Sequence, residues 1–131
     1  MAYFSFTNKI YADEPIKIFN NGDMLRDFTY IDDIVHGIEL LINKAPKGED
    51  PYKIYNIGNN KPIKLLYFIE TLEKCIGKTA KKEYLPMQPG DVYQTFADIS
   101  DIENDFSFKP ETSIEEGLKN FADWYKHYYQ K

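Results

Sequence analysis

The chain has 131 residues with 16 basic and 21 acidic side chains, which gives a formal net charge of −5. Apolar residues at 43% and charged residues at 28% are ordinary for a globular domain and exclude a disordered chain. The acidic balance, without a basic stripe, argues against a nucleic-acid partner. Because no apolar run reaches the ~20 residues of a membrane span, we expect a soluble, cytoplasmic protein without a membrane partner.

The first third of the chain predicts a helix, a strand, a turn and an extended segment. No helix breaker interrupts Ala2–Tyr11, and Asp13-Glu14-Pro15 ends that helix. The alternation in Ile16–Phe19 predicts a short strand. Asn20–Asp23 has the asparagine and glycine residues of a tight turn, and Leu25–Thr29 follows as an extended segment.

A helix over Ile31–Ile42 has the clearest periodicity in the chain. Thr29 is positioned to cap it, and Asp32 and Asp33 lie in its first turn, where the helix dipole favours anions. The two carboxylates could also be read as a metal pair, but neighbouring helical side chains point about 100° apart. Dipole compensation is therefore the preferred interpretation. The apolar face of this helix comprises Ile31, Ile34, Val35, Ile38, Leu41 and Ile42.

The remaining segments continue the alternation of strands and helices. Two S-x-x-E capping boxes, at Ser100 and Ser113, are expected to start the last two helices. An alternation of this kind predicts the α/β fold class. The other expected elements are strands over Lys53–Ile57, Lys82–Leu85 and Gln94–Ala97 and a helix from Leu65 to Ile76 that Gly77 ends.

The sequence contains no recognisable cofactor or metal motif. Gly77-Lys78-Thr79 resembles the end of a phosphate-binding loop, but the glycine required five residues earlier is Leu72. The seven glycines lack G-x-G-x-x-G spacing, and no tyrosine is followed four residues later by lysine. A lone cysteine, Cys75, is expected to pack, and the two distant histidines offer no zinc spacing.

Arg26 is the most informative single residue, because the other 15 basic residues are lysines. A guanidinium supplies a planar, permanently charged fork that holds phosphate or carboxylate through two hydrogen bonds. Its position after an Asn-Gly turn and before a helix N-terminus suits an anion site. An ion pair with Asp27 or Asp91 is the alternative, and the residues alone leave both interpretations open.

The segment Leu25–Val35, which reads LRDFTYIDDIV, resembles the NAD-dependent nucleotide-sugar epimerase/dehydratase family, the extended short-chain dehydrogenases. The resemblance covers all 131 residues in order. Within the family, the pattern is most like the UDP-glucuronate 4-epimerase branch. Supporting segments are Met1–Phe6, Phe19–Met24, Tyr55–Asn60, Leu85–Val92 and Phe108–Gly117.

The resemblance implies a substrate-binding role for four residues. Arg26 corresponds to an arginine that grips the UDP diphosphate, and Phe19 to an aromatic residue that packs on the uracil. For Phe19 the alternative is a buried strand position. Asp91 corresponds to an acidic residue near the ribose. Gln88 stands where UDP-galactose epimerases usually have arginine, a departure that favours the glucuronate branch.

The resemblance also implies that residues 1–131 are the C-terminal, substrate-binding region of a nucleotide-sugar 4-epimerase, a single incomplete domain. The glycine-rich NAD loop and the catalytic tyrosine–lysine pair would then belong to a preceding Rossmann domain. We accordingly expect a chain that binds a UDP-sugar, has no cofactor of its own and is inactive alone, with NAD acting in the full-length enzyme.

Two sets of alternatives remain at this point. Another UDP-sugar epimerase, a decarboxylase or a 4,6-dehydratase would share most of these features. A non-catalytic oligomeric remnant or interaction module belongs to a different class. In the family, the Ile31–Ile42 helix and the Lys53–Ile57 strand join the Rossmann sheet, so we also expect self-association through these uncovered surfaces.

Overall fold

The structure is a computed structural model that describes residues 2–44 and 52–131. Helices and short strands alternate along these residues, which confirms the α/β prediction. Across the same residues, no helix combines the length and apolar character needed to cross a bilayer. The elements are α1 (Ala2–Tyr11), β1 (Ile16–Ile18), a 3₁₀ turn (Phe19–Gly22), β2 (Leu25–Arg26), α2 (Ile31–Ile42), β3 (Ile63–Lys64), α3 (Leu65–Ile76), β4 (Lys82–Tyr84), α4 (Ser100–Phe106) and α5 (Ile114–Tyr129).

The strands form two small sheets that bring distant segments together. β1 pairs with β4 in parallel, so that Ile18 lies opposite Tyr84. β2 pairs with β3 in the antiparallel sense, with Leu25 opposite Lys64 and Arg26 opposite Ile63. The chain segments that follow β1 and β4 therefore leave from the same edge of the parallel sheet.

The main core lies between α1, β1, α3 and α5. β1 buries Ile16 and Ile18 while Lys17 faces water, as expected for a strand with one covered face. Phe68 of α3 is 1% exposed and stacks on Phe28 with ring centroids 4.2 Å apart. The buried members of the main core are Ile10, Ile16, Ile18, Met24, Leu65, Phe68, Ile69, Leu72, Ile76, Ala80 and Leu118.

A small core, made of Ile99, Ile102 and Phe108, lies beside α2. Gly37 of α2 is buried there, and a Cβ atom at this position would lie 3.0 Å from Ile57. The opposite side of α2 faces outward and forms what we call the α2 apolar face. Its members are Ile31, Val35, Ile38 and Ile42, whose exposures are 60%, 45%, 44% and 75%.

Two of the predicted strands are wrong. Lys53–Ile57 forms no strand, and no described segment pairs with it; Tyr55 instead donates a hydrogen bond to Asp105. Within Gln94–Ala97 only an isolated bridge from Gln94 to Leu25 is present. Alternating apolar and polar residues indicate that a segment could bury one face in a sheet. A strand forms only where a neighbouring strand supplies the backbone hydrogen bonds. The extended segment Leu25–Thr29 is likewise a strand only over its first two residues.

Two predicted helix ends are confirmed. The Ser113 side chain accepts a hydrogen bond from the Glu116 N–H at 3.1 Å and so caps α5. Gly77 ends α3 with a φ of +80°, the left-handed conformation typical of a glycine C-cap.

Two other predicted caps are wrong. Tyr30, not Thr29, occupies the N-cap position of α2, and no side chain caps this helix. Ser100 is the first residue within α4, and its hydroxyl donates to the Asp98 carboxylate at 2.5 Å. Ile99 occupies the N-cap position of α4, and no side chain accepts a capping hydrogen bond there.

Candidate functional site

Arg26 lies at the end of β2, and both terminal nitrogens of its guanidinium have hydrogen-bond partners. Nη1 donates to the carbonyl oxygens of Leu25 at 2.9 Å and Tyr93 at 3.0 Å. Nη2 donates to Asp91 Oδ1 at 2.9 Å and lies 3.8 Å from the Met24 sulfur. The side chains of Arg26 and Asp91 are 21% and 31% exposed. Of the ion pairs considered from the sequence, the one with Asp91 is therefore formed in this structure.

Asp27 does not pair with Arg26 but joins two loops to β2. Its Oδ2 accepts hydrogen bonds from the N–H groups of Asn60 at 3.0 Å and Ala97 at 3.1 Å. Its Oδ1 is buried and has no hydrogen-bond partner among the described residues. Gly58 permits this approach, because a Cβ atom there would lie 2.5 Å from the Ala97 Cβ. The sequence interpretation missed this role, since backbone donors leave no signal in a side-chain pattern.

Residues 86–92 form a segment that we call the strap, and backbone hydrogen bonds fix both of its ends. At one end, the Leu85 N–H donates to the Ile18 carbonyl at 2.9 Å, and the Leu85 carbonyl accepts from Asn21 at 3.0 Å. At the other end, the Tyr93 carbonyl accepts from the Leu25 N–H at 3.0 Å. The strap therefore begins at the edge of the parallel sheet and ends beside β2.

The interior of the strap is exposed throughout. Gly90 has a φ of +83°, a conformation that glycine adopts readily in tight turns. The turn is closed by a hydrogen bond from the Asp91 N–H to the Gln88 carbonyl oxygen at 3.1 Å. Asp91 Oδ1 also accepts from the Val92 N–H at 2.9 Å. The ion pair with Arg26 is the side-chain hydrogen bond that ties the strap interior to the rest of the described chain.

Tyr93 fixes the end of the strap to the turn after β1. Its hydroxyl lies 3.2 Å from a carboxylate oxygen of Asp23. The charge of Asp23 raises the pKa of Tyr93 above its usual value, because ionisation would place two negative charges together. The hydroxyl therefore stays protonated and donates to Asp23.

The four predicted site residues are distributed along one edge of the fold. Arg26 and Asp91 are in direct contact, and Gln88 lies on the strap with its side chain exposed. Phe19 begins the 3₁₀ turn after β1, at the sheet edge from which the strap also leaves. Its side chain is half-buried and packs against the main core, but Phe19 lies just after β1 and not at the buried strand position that was its alternative, and its predicted strand ends at Ile18.

Asp33, considered with Asp32 as dipole compensation, has a more specific role. It is 8% exposed and accepts the N–H groups of Glu111 at 3.1 Å and Thr112 at 3.2 Å. These bonds hold the segment before α5 against α2. Asp32 is exposed, so dipole compensation still describes that residue alone.

Two cavities lie away from Arg26 and the strap. One of about 520 Å³ separates the N-terminal ends of α3 and α5, where the Tyr67 hydroxyl donates to Glu115. The other, of about 540 Å³, is apolar and lies between α1, the start of α2 and α5, beside Phe121 and Trp124. None of the four predicted site residues lines either cavity. The predicted nucleotide site thus lies outside these two cavities.

Comparison of the sequence with known proteins identifies related chains. The sequence profile of the NAD dependent epimerase/dehydratase family matches residues 1–58. Protein CapI of Staphylococcus aureus is 47% identical over all of this chain and 43% of that protein. A UDP-glucuronate 4-epimerase of Thermodesulfobacterium geofontis is 47% identical over 96% of this chain and 38% of that protein.

The fold is similar to that of solved epimerase structures. The UDP-glucuronic acid 4-epimerase of Bacillus cereus, in complex with UDP-glucuronic acid and NAD, aligns with a TM-score of 0.86 and 35% identity. The alignment covers 98% of this chain and 40% of that chain. The present chain therefore spans about two-fifths of the length of the relatives it matches.

Proposed function

The chain belongs to the NAD-dependent epimerase/dehydratase family, and from this premise we propose that residues 1–131 form the UDP-sugar-binding region of a nucleotide-sugar 4-epimerase. The observation that carries the proposal is the position of Arg26. Its guanidinium lies at the surface between β2 and the strap and already binds a carboxylate. A surface that holds one oxyanion on a rigid backbone suits a phosphate equally well.

The proposed binding mode assigns one part of the nucleotide to each predicted residue. Arg26 holds the diphosphate, and the exposed side of Phe19 packs on the base. Gln88 and Asp91 approach the ribose from the strap, where carboxylate and amide oxygens accept hydroxyl hydrogen bonds. The common sheet edge from which Phe19 and the strap depart supports this arrangement.

The proposed substrate of the whole enzyme is UDP-glucuronate, interconverted with UDP-galacturonate. Two observations favour a uronate over a neutral sugar. Relatives that match nearly all of this chain are named UDP-glucuronate 4-epimerases. Gln88 also stands where the galactose branch usually has arginine. This region contributes nucleotide positioning, which lowers the entropic cost of the reaction by holding the reactant in place.

NAD supplies hydride transfer in enzymes of this kind. A dinucleotide loop needs glycines whose missing side chains leave room for a pyrophosphate. At Gly22, the one glycine in the turn after β1, the Leu66 side chain fills that space, 2.5 Å from where a Cβ atom would be. We propose that NAD binds outside residues 2–44 and 52–131, which contain no G-x-G-x-x-G loop.

Nucleotide binding can be tested by calorimetry with UDP and UDP-glucuronate. We expect Arg26→Ala to weaken binding of both ligands by about 1.5–3 kcal/mol, since a charge-assisted hydrogen bond is lost. Lys64→Ala is the matched control, because it removes a nearby exposed positive charge on β3 without a bidentate fork. It should cost less than about 0.5 kcal/mol. Equal losses in the two variants, or no binding by the unaltered chain, would overturn the proposed role.

A second candidate function is favoured by the α2 apolar face. Four large apolar side chains on one helix are exposed, and Ile54 nearby in sequence is 81% exposed. Surfaces of this kind mark interaction sites. We propose that the chain self-associates through this face with a second copy, whether or not it binds nucleotide.

Self-association can be tested by light scattering after gel filtration. The double variant Val35→Glu with Ile38→Glu places two charges at the centre of the α2 apolar face and should be monomeric. Lys17→Glu, on the exposed side of β1, serves as the control and should leave the oligomer unchanged. A monomeric unaltered chain would contradict the second candidate and leave the nucleotide-binding proposal standing.

A further inference from the structure

Asp91 accepts a hydrogen bond from Nη2 of Arg26, a donor that an anionic ligand would also use. Nη1 is committed to two backbone carbonyls, and Asp91 on Nη2 is the one anionic partner of Arg26 among the described residues, so a phosphate that binds Nη2 must replace that carboxylate. We propose that Asp91 is an internal competitor for the phosphate site, released when a nucleoside diphosphate binds. This inference rests on the proposed function and adds a regulatory role that the ribose contact does not include.

Asp91 can leave Arg26 while the hydrogen bonds that hold both ends of the strap stay intact. Both ends of the strap are held by backbone hydrogen bonds to β1 and β2, while its interior is exposed. The other two hydrogen bonds of Asp91 join it to Gln88 and Val92, which belong to the strap and move with it. Release therefore breaks one partly exposed ion pair, a contact of small free energy.

The competition acts on charged ligands alone. An uncharged nucleoside has no group that can replace a carboxylate on a guanidinium. A phosphate oxygen can accept the Nη2 hydrogen bond that Asp91 gives up, while Nη1 keeps its two carbonyls. Asp91 thus lowers the affinity for a nucleoside diphosphate without lowering that for a nucleoside, because only the diphosphate must displace the ion pair.

The test compares UDP and uridine binding to the full chain and to Asp91→Asn. The amide keeps the size and most hydrogen bonds of the carboxylate but loses the charge that holds Nη2. We expect Asp91→Asn to bind UDP about two- to fivefold more tightly, while uridine gains nothing. Asp23→Asn is the matched control: it removes a carboxylate that contacts Tyr93 and not Arg26. It should change UDP affinity less than Asp91→Asn does.

The double variant Arg26→Ala with Asp91→Asn gives the second measurement. It should bind UDP as Arg26→Ala does, because the gain from Asp91→Asn acts through the guanidinium. Tighter binding that persists in the double variant would overturn the inference, as would UDP binding that is unchanged or weaker in Asp91→Asn. If neither the unaltered chain nor Asp91→Asn binds UDP, the proposed function fails together with the inference.

Discussion

The helices α2 and α3 carry the same kind of sequence pattern, but their apolar faces have opposite environments. In α3, Phe68 and Leu72 are almost completely buried within the main core. In α2, Ile38 and Ile42 are 44% and 75% exposed, and the side that packs inward contains Asp33 and Gly37. Periodicity identifies the residues that share a face, and it says nothing about whether a partner covers that face.

This difference divides the described molecule into a part whose apolar faces are covered and a part with an exposed apolar face. The main core draws on α1, β1, α3 and α5, so that each element covers the apolar side of another. Among the described residues, the small core comprises α4 and its flanks, one side of α2, and Tyr55 and Ile57. We therefore expect the main core to determine the stability of the chain, and the α2 region to determine its associations.

The largest effect is expected in the main core. Phe68→Ala removes a fully buried ring that stacks on Phe28 and should lower the free energy of unfolding by about 3–5 kcal/mol. Ile38→Ala on the α2 apolar face should change it by less than about 0.5 kcal/mol at a protein concentration low enough to keep the chain monomeric. Guanidinium denaturation followed by circular dichroism measures both. A comparable loss in Ile38→Ala would show that the face is covered in solution.

A smaller effect is expected where the two parts join. Asp33→Ala leaves the N–H groups of Glu111 and Thr112 without their acceptor and should cost about 1–3 kcal/mol. Asp32→Ala, one residue earlier and exposed, is the matched control. Chemical denaturation distinguishes the two variants. Equal effects would mean that the contribution is electrostatic, through the helix dipole, and not the pair of hydrogen bonds.

The two serines of the predicted capping boxes give a third comparison, one from each part. Ser113→Ala removes the side chain that caps α5 and should cost about 1 kcal/mol. Ser100→Ala removes an exposed hydroxyl that bonds to Asp98 and caps no helix, so its cost should be smaller. Thermal unfolding of the two variants at equal concentration tests this order. A larger loss in Ser100→Ala would contradict the assignment of the caps.

The smallest effect is expected in the pH dependence of stability that arises from the small-core region. Hydrogen bonds from Lys53, at 2.6 Å, and from Tyr55 hold the pKa of Asp105 below its ordinary value of 3.8. A carboxyl whose pKa is lower in the folded state stabilises the fold above its unfolded pKa, and this contribution is lost as the pH falls through the folded value.

Asp105→Asn should therefore lower stability near neutral pH, and its difference from the unaltered chain should shrink below about pH 4. Urea denaturation at a series of pH values measures this difference. Asp13, whose pKa Lys78 lowers at the end of α1, provides a matched carboxylate beside the main core. A difference for Asp105→Asn that stays constant from pH 6 to pH 3 would contradict the ion-pair explanation.

Much of the local structure could be predicted because its causes are local. The bounds of α2 and α3 follow from apolar periodicity, and those of α1 from an uninterrupted segment; Pro15 and Gly77 mark the ends of α1 and α3. Arg26 is the one arginine among the 16 basic residues, which indicated a specific contact for its guanidinium. In the structure it forms an ion pair with Asp91.

The sequence interpretation failed for several features that depend on a specific partner, although β1 and β4, which pair with each other, lie where strands were expected. Lys53–Ile57 has the composition of a strand, but no described segment pairs with it. Ser100 has the spacing of a cap, but a nearby carboxylate takes its hydroxyl. The contacts of Asp27 and Asp33 were missed because their donors are backbone N–H groups, which every residue except proline provides.

The sequence by itself thus determined the helices, the fold class and the chemistry available at Arg26, because these depend on neighbouring residues and on side-chain type. The tertiary structure decided which faces are covered and which charges meet. Arg26 and Asp91 are 65 residues apart in sequence, and their contact exists only because β2 and the strap lie side by side. The outward orientation of the α2 apolar face has the same origin, since burial depends on what packs against a helix as well as on its pattern.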